Sequence, residues 1–288
     1  MSDAATSEFL ARLSVEHVAD DRFTGVCSPG WPGKAFGGQL AAQSMQAASA
    51  TAPARMVPWS LHAYFHAPVA ANERIDYDVE RVKDGRTTSA RLVHLTQDGK
   101  ARVTVMVLFG LPGEGPEHGY LRPDTPSPSM TPPQMPLVDP TILPPEADWA
   151  SLGYPSEALV EVRVSHEHRV DERADSRAFA LPVWMRVVPE IPRDAATVAS
   201  AICYLSDITL GTTALEPHGG RAGTTDLQLG AIELAFWFAE SARLNEWSLF
   251  NQESSYAGGG HGLSHGVFYN SEGRVSAIAV QNALMRSA

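Results

Sequence analysis

Asp207 and Gln281 are the two side chains of this sequence whose settings best suit chemistry. Asp207 closes an apolar stretch (AATVASAICYLS) and stands between Leu205 and Ile208. Burial there would raise the proton affinity of its carboxylate and make it a general base near neutral pH. The same position also suits a capping or ion-paired Asp at a helix end. Gln281 interrupts the apolar run SAIAVQNAL. A lone amide on a buried strand must find hydrogen-bond partners, a held water or neighbouring backbone being the two alternatives. Gly37-Gly38 precede a small, apolar segment. At the start of a helix, unpaired N–H groups and the positive dipole end can polarise a carbonyl oxygen that approaches closely, or the pair can simply form a tight packing turn. His62, in a strand with aromatic neighbours Tyr64 and Phe65, either lines a site or is a satisfied core or interface histidine.

The elements that must position these residues recur. A helix is predicted from about Gly37 to Ala50, followed by strands at Trp59–His66, Arg74–Lys83, Thr87–Thr96 and Ala101–Leu108. A second helix is predicted from about Ala195 through at least Leu205, followed by strands at Leu229–Phe238, Asn245–Ser255, Gly262–Tyr269 and Arg274–Asn282. Each half reads as a helix and a meander. LHAYFHAP at Leu61 aligns with LAFWFAES at Leu234, and RLVHLTQDGKARVTVMVL at Arg91 with HGVFYNSEGRVSAIAVQN at His265. The offset of about 173 residues marks a two-copy repeat. Gln97-Asp98-Gly99-Lys100 and Ser271-Glu272-Gly273-Arg274 place Gly where a hairpin wants positive φ. Between the halves, Leu111 to Pro155 holds more than half of the chain's 21 prolines. The expected division is therefore 1–111, a proline-rich linker 112–155, and 156–288.

Composition narrows the function. Of 288 residues, 44% are hydrophobic and 19% charged, as in ordinary globular proteins. The net charge of −11 repels nucleic acid and anionic membranes, so an anionic ligand needs local help. Arg74, Arg81, Lys83, Arg86, Arg91, Lys100 and Arg102 are candidates for that help, or else a solvated strand face. MSDAATSEFL has no signal-peptide pattern, and no run reaches roughly 18 uninterrupted apolar residues, so a cytoplasmic protein is expected. Cys27 and Cys203 lack metal or disulfide spacing and read as small buried hydrophobes. Gly258-Gly259-Gly260 reads as a loop, not a dinucleotide fingerprint. His166 and His168 lack an evident third ligand and read as solvent-facing. No G-x-S-x-G nucleophile elbow is expected, which argues against a serine hydrolase of the α/β type.

At FGGQ (Phe36 to Gln39), SLHAYF (Ser60 to Phe65), YDVERVKDGRTTSAR (Tyr77 to Arg91), LSD (Leu205 to Asp207), EPHG (Glu216 to Gly219) and VQNALMR (Val280 to Arg286), the chain resembles the acyl-coenzyme A thioesterase II family. The resemblance implies an α+β double hotdog, two tandem helix-plus-antiparallel-sheet repeats forming one continuous curved sheet. It implies a water held by an Asp, a Thr or Ser, and a Gln. The Asp falls on Asp207 and the Gln on Gln281, but Ala231 stands where the hydroxyl is usual, with Glu233 or backbone as substitutes. Trp59 stands where a His is common, while Ser60 and His62 match. With Gly37, Gly38 and Gln39 these form the expected substrate-binding set. An acyl-coenzyme A substrate is implied, with no metal and no cofactor, in a homodimer or higher homo-oligomer. The alternatives are a hotdog hydratase or dehydratase, and an acyl-coenzyme A binding protein that has lost turnover.

Overall fold

The computed structural model describes residues 2–30, 34–131, 156, 158–165, 179–218 and 227–287. Twelve strands form one antiparallel sheet: β1 (Glu16–Ala19), β2 (Arg22–Val26), β3 (Val57–Phe65), β4 (Arg74–Asp84), β5 (Thr88–Gln97), β6 (Lys100–Gly110), β7 (Val160–Val164), β8 (Phe179–Val187), β9 (Leu227–Phe238), β10 (Ser248–Gly258), β11 (His261–Tyr269) and β12 (Val275–Ser287). Among the described residues four α-helices accompany them: α1 (Ser2–Leu13), α2 (Gly37–Thr51), α3 (Ala195–Ser206) and the single turn α4 (Leu210–Thr213). The sheet order is β1-β2-β4-β5-β6-β3-β9-β12-β11-β10-β8-β7.

This order corrects the meander expected in each half. β4, β5 and β6 do form a meander, but β3 returns to pair with β6, and β9 likewise pairs with β12. The first strand of each set thereby lies at the centre of the molecule. There β3 and β9 pair antiparallel, Ser60 opposite Trp237 and Tyr64 opposite Glu233, and the two halves become one sheet. Two inner edges that would otherwise invite aggregation are thus closed against each other. Sequence repetition cannot reveal which strands are neighbours, because pairing across 50 residues leaves no local signal.

The repeat's turns are as expected: Asp98 and Gly99 have φ of 52° and 69°, and Gly273 has 79°. Gly259 and Gly260 turn the β10–β11 hairpin. Three pieces were not foreseen: α1, the β1–β2 hairpin that extends one edge, and the β7–β8 pair that extends the other. The proline-rich stretch from 111 to 127 has no regular structure, and the Pro126 carbonyl accepts from Trp184 Nε1 at 2.8 Å. Residues 132–155 of that stretch, and His166 and His168, lie outside the described residues.

The helices sit on one face of the sheet. α2 is Ala-rich, a strong helix former, and Gly38 to Met45 are all buried, as befits a helix apolar all round. Its neighbour α3 starts at Asp194, whose side chain accepts from Thr197 N at 2.9 Å. The two run antiparallel, Gly38 against Tyr204 and Asp207, and Gln46 Nε2 donating to Ser200 Oγ at 3.0 Å. The stretch Ala195–His218 is long and apolar enough to be weighed as a membrane span; here it is core, broken after Ser206 and packed on α2. Cys27 and Cys203 are buried free thiols, and burial pushes both pKa values up.

Candidate functional site

Helix α2 has no side-chain cap of its own; its N-cap residue is Phe36. Its first N–H groups therefore need outside acceptors. Asp207, the C-cap residue of the antiparallel α3, supplies one: Gly38 N donates to Asp207 Oδ2 at 2.6 Å. Only glycine permits this approach. A Cβ on Gly38 would stand 2.7 Å from Asp207 Cβ and 2.9 Å from the Tyr204 carbonyl. A Cβ on Gly37 would stand 2.9 Å from Asp207 Oδ2.

The other carboxylate oxygen, Oδ1, accepts from Gln281 Nε2 at 2.7 Å. Gln281 comes from β12, on the helix-facing side of the sheet, and is 2% exposed. Its Oε1 is buried with no hydrogen-bond partner. An unpaired buried acceptor is costly, so its presence beside a cavity marks a place for a donor from outside the protein.

Burial raises the Asp207 pKa from 3.8 to about 6. The bonds from Gln281 and Gly38 favour the anion and pull the other way. The carboxylate is thus ionised at neutral pH but holds a proton far better than a surface Asp does. That is the balance a general base needs.

Asp207 and Gln281 open onto a cavity of about 260 Å³. Gly37 and Ala231 line it near the carboxylate, Gly211 lies beside the Gln281 amide with Thr212 next in the chain, Leu40, Phe65, Val69 and Leu229 supply apolar wall, and Lys34 a cation. Gly37 keeps its N–H, the first of the helix and one without an intrahelical acceptor. Of the two glycines proposed to polarise a carbonyl, Gly38 is committed to Asp207 and Gly37 remains.

Ala231 lies on the cavity wall and presents a methyl there. Glu233 does not substitute for it: it pairs across from Tyr64 and Asn282 and is not a cavity residue. Three members of the expected substrate-binding set sit elsewhere. In β3 the strict alternation sends Leu61, Ala63 and Phe65 inward, so Ser60 and His62 face the outer side of the sheet. His62 packs edge-on against Trp237, centroids 5.0 Å apart. Gln39 is buried, but its amide is spent on the loop before the helix, accepting from Ser28 N at 3.0 Å and donating to Val26 O at 3.3 Å. Their motif matches carried no information about which face each residue takes. Phe65 was recoverable from alternation; Thr212 and Lys34 had no signal in sequence.

Arg91 corrects the picture of a solvated basic face. It is fully buried, and its guanidinium donates to Thr51 Oγ1 and O, the Lys83 and Ala90 carbonyls and Asp84 Oδ1, tying β5 to the end of α2. Arg81 is paired with Asp21. The letters of a nucleophile elbow do occur, as Gly262-Leu263-Ser264-His265-Gly266, contrary to expectation. They run through the middle of β11 and not a strand-to-helix turn, and buried Ser264 Oγ has no hydrogen-bond partner to activate it.

Residues 27–110 match the family model described as acyl-CoA thioesterase N-terminal domain, and residues 156–284 match that described as acyl-CoA thioesterase. The chain is 30% identical to acyl-CoA thioesterase 2 of Haemophilus influenzae over 275 residues, covering 95% of each. It is 25% identical to mouse acyl-coenzyme A thioesterase 8, covering 87% of this chain and 80% of that one. In structure it is similar to an acyl-CoA thioesterase II from Mycobacterium marinum, with TM-score 0.80, 26% identity and 98% of each chain covered. A hot dog fold protein from Alicyclobacillus acidocaldarius, 20% identical with TM-score 0.74 over 98% of each chain, shares the fold. This chain belongs to the acyl-CoA thioesterase family and has its hotdog fold.

Proposed function

We propose that the protein hydrolyses acyl-coenzyme A thioesters to the free acid and coenzyme A, with Asp207 as general base and Gln281 as the group that orients the water. The observation that carries this reading is the bidentate seat of Asp207 between Gly38 N and Gln281 Nε2, beside a Gln281 Oε1 that lacks a donor.

The water gives one hydrogen to Asp207 and the other to Gln281 Oε1, which turns a lone pair toward the thioester carbonyl carbon. As the C–O bond forms, Asp207 takes the proton and negative charge gathers on the carbonyl oxygen. The Gly37 N–H at the positive end of α2 is suited to receive that charge. Collapse of the tetrahedral adduct breaks the C–S bond, and the proton held by Asp207 leaves with the sulfur, giving a thiol. No covalent enzyme intermediate, metal or cofactor is needed. The apolar wall of Leu40, Phe65, Val69 and Leu229 suits an acyl chain.

Release of free thiol from a panel of acyl-coenzyme A chain lengths tests this reading. Turnover of at least one saturated acyl substrate is expected. Hydration of an enoyl thioester without thiol release would instead establish a hydratase. Ligand-induced thermal stabilisation without turnover would establish a binding protein, a reading that Ala231 keeps in view.

A further inference from the structure

A water given two acceptors, Asp207 and Gln281 Oε1, still has two lone pairs, only one of which should face the substrate. A third contact, a hydroxyl donating to the other lone pair, would leave one direction of attack. Position 231 cannot supply it, since Ala231 carries a methyl group. Among the described residues lining the cavity, one has a hydroxyl: Thr212, on α4. It adjoins Gly211, whose added Cβ would lie 3.1 Å from Gln281 Nε2, so α4 passes directly over the amide.

We infer that Thr212 supplies the hydroxyl this site lacks at position 231, and that it touches the reacting water. The inference rests on the hydrolytic reading above. Two features of α4 support it. The Thr212 hydroxyl donates to the Thr209 carbonyl at 2.9 Å, but that carbonyl also accepts from Thr212 N at 3.2 Å. Turning the Thr212 hydroxyl toward a water therefore does not orphan a buried acceptor. Meanwhile the turn itself is pinned. Buried Gln252 of β10 donates to Thr209 Oγ1 at 2.6 Å and accepts from Thr213 Oγ1 at 2.7 Å. A short helix anchored on both sides of Thr212 holds that residue at the cavity, as a positioned water ligand requires.

Another hydroxyl near the amide is that of Ser264, directly opposite Gln281 on β11, but it is buried and is not among the described residues lining the cavity. The test is steady-state thiol release by Thr212→Val, Thr212→Ser, Ser264→Ala and the double variant Thr212→Val with Ala231→Thr, each checked for an unchanged melting temperature. Thr212→Val, which keeps shape and loses the hydroxyl, is expected to lower kcat at least tenfold with little change in KM, as loss of a single transition-state donor does. Thr212→Ser should recover most of that loss, and the double variant should recover part of it by returning the hydroxyl to position 231. Wild-type kcat in Thr212→Val would overturn the inference, as would equal losses in the Val and Ser variants or a loss confined to Ser264→Ala. A dead Asp207→Asn alongside a fully active Thr212→Val would refute Thr212 alone, whereas an active Asp207→Asn would refute the reading on which it rests.

Discussion

Replacing Asp207 by Asn should stabilise the protein at alkaline pH. Burial lifts the carboxyl from 3.8 to about 6, against the opposing pull of the Gln281 and Gly38 bonds. Each tenfold in proton affinity is worth 1.36 kcal/mol, so the ionised carboxylate costs the native state about 3 kcal/mol relative to its protonated form. The sign follows from linkage. The native state binds this proton more tightly than the unfolded chain does, so stability contributed by the group is full below pH 4, declines as pH rises, and is lost above about pH 6. Asn has no such loss. Its oxygen can accept from Gly38 N or from Gln281 Nε2 but not both, which returns about 1 kcal/mol. Asp207→Asn should therefore be more stable than the native chain by about 2 kcal/mol at pH 8, and the advantage should vanish by pH 4. Urea unfolding of both proteins at pH 4, 6 and 8 measures the difference. Equal stabilities at all three values, or a variant weakened at pH 8, would refute the claim that this carboxylate is desolvated.

Gly38→Ala forces a methyl to within 2.7 Å of Asp207 Cβ and should both destabilise the fold by about 2 kcal/mol and lower kcat/KM at least tenfold by displacing the base; thermal melts and thiol release report the two effects. Gln281→Leu removes the donor to Asp207 Oδ1 and the unpaired acceptor together. It should cut kcat about a hundredfold while leaving the melting temperature near that of the native chain, and a variant with full activity would remove Gln281 from the mechanism. Arg91→Met should cost about 3 kcal/mol in urea unfolding, because the Thr51, Lys83 and Ala90 carbonyls lose their donor inside the protein.

What the sequence made legible was local. Apolar periodicity, the small residues of α2 and α3 and the glycines of the hairpin turns were readable because each depends on residues close together in the chain. The repeat was readable because both halves solve one packing problem with similar residues. The pairing of β3 with β6 and of β9 with β12 was not, since it is decided by long-range closure of the sheet. Nor was the facing of Ser60 and His62, where a motif match shows the residue and not its side of the strand. Arg91 misled for a related reason: charge in a strand normally means solvent, and only tertiary structure shows five acceptors gathered around a buried guanidinium. At the site, Asp207 and Gln281 could be singled out as polar residues in apolar runs, but their mutual bond spans 74 positions. The role of Gly38 as donor to Asp207 depends on α2 and α3 packing antiparallel, and the presence of Thr212 on the cavity wall on α4 being tied to β10.

The central claim is that Asp207 is the base. The pH dependence of kcat/KM for thiol release, measured for the native chain and for Asp207→Asn, tests it most directly. The native profile should rise tenfold per pH unit up to about pH 6 and then level, the inflection reporting the Asp207 carboxyl in the free enzyme. Asp207→Asn should lose about a thousandfold in rate and lack that rising limb. An Asp207→Asn variant with native turnover and the same inflection near pH 6 would contradict the account.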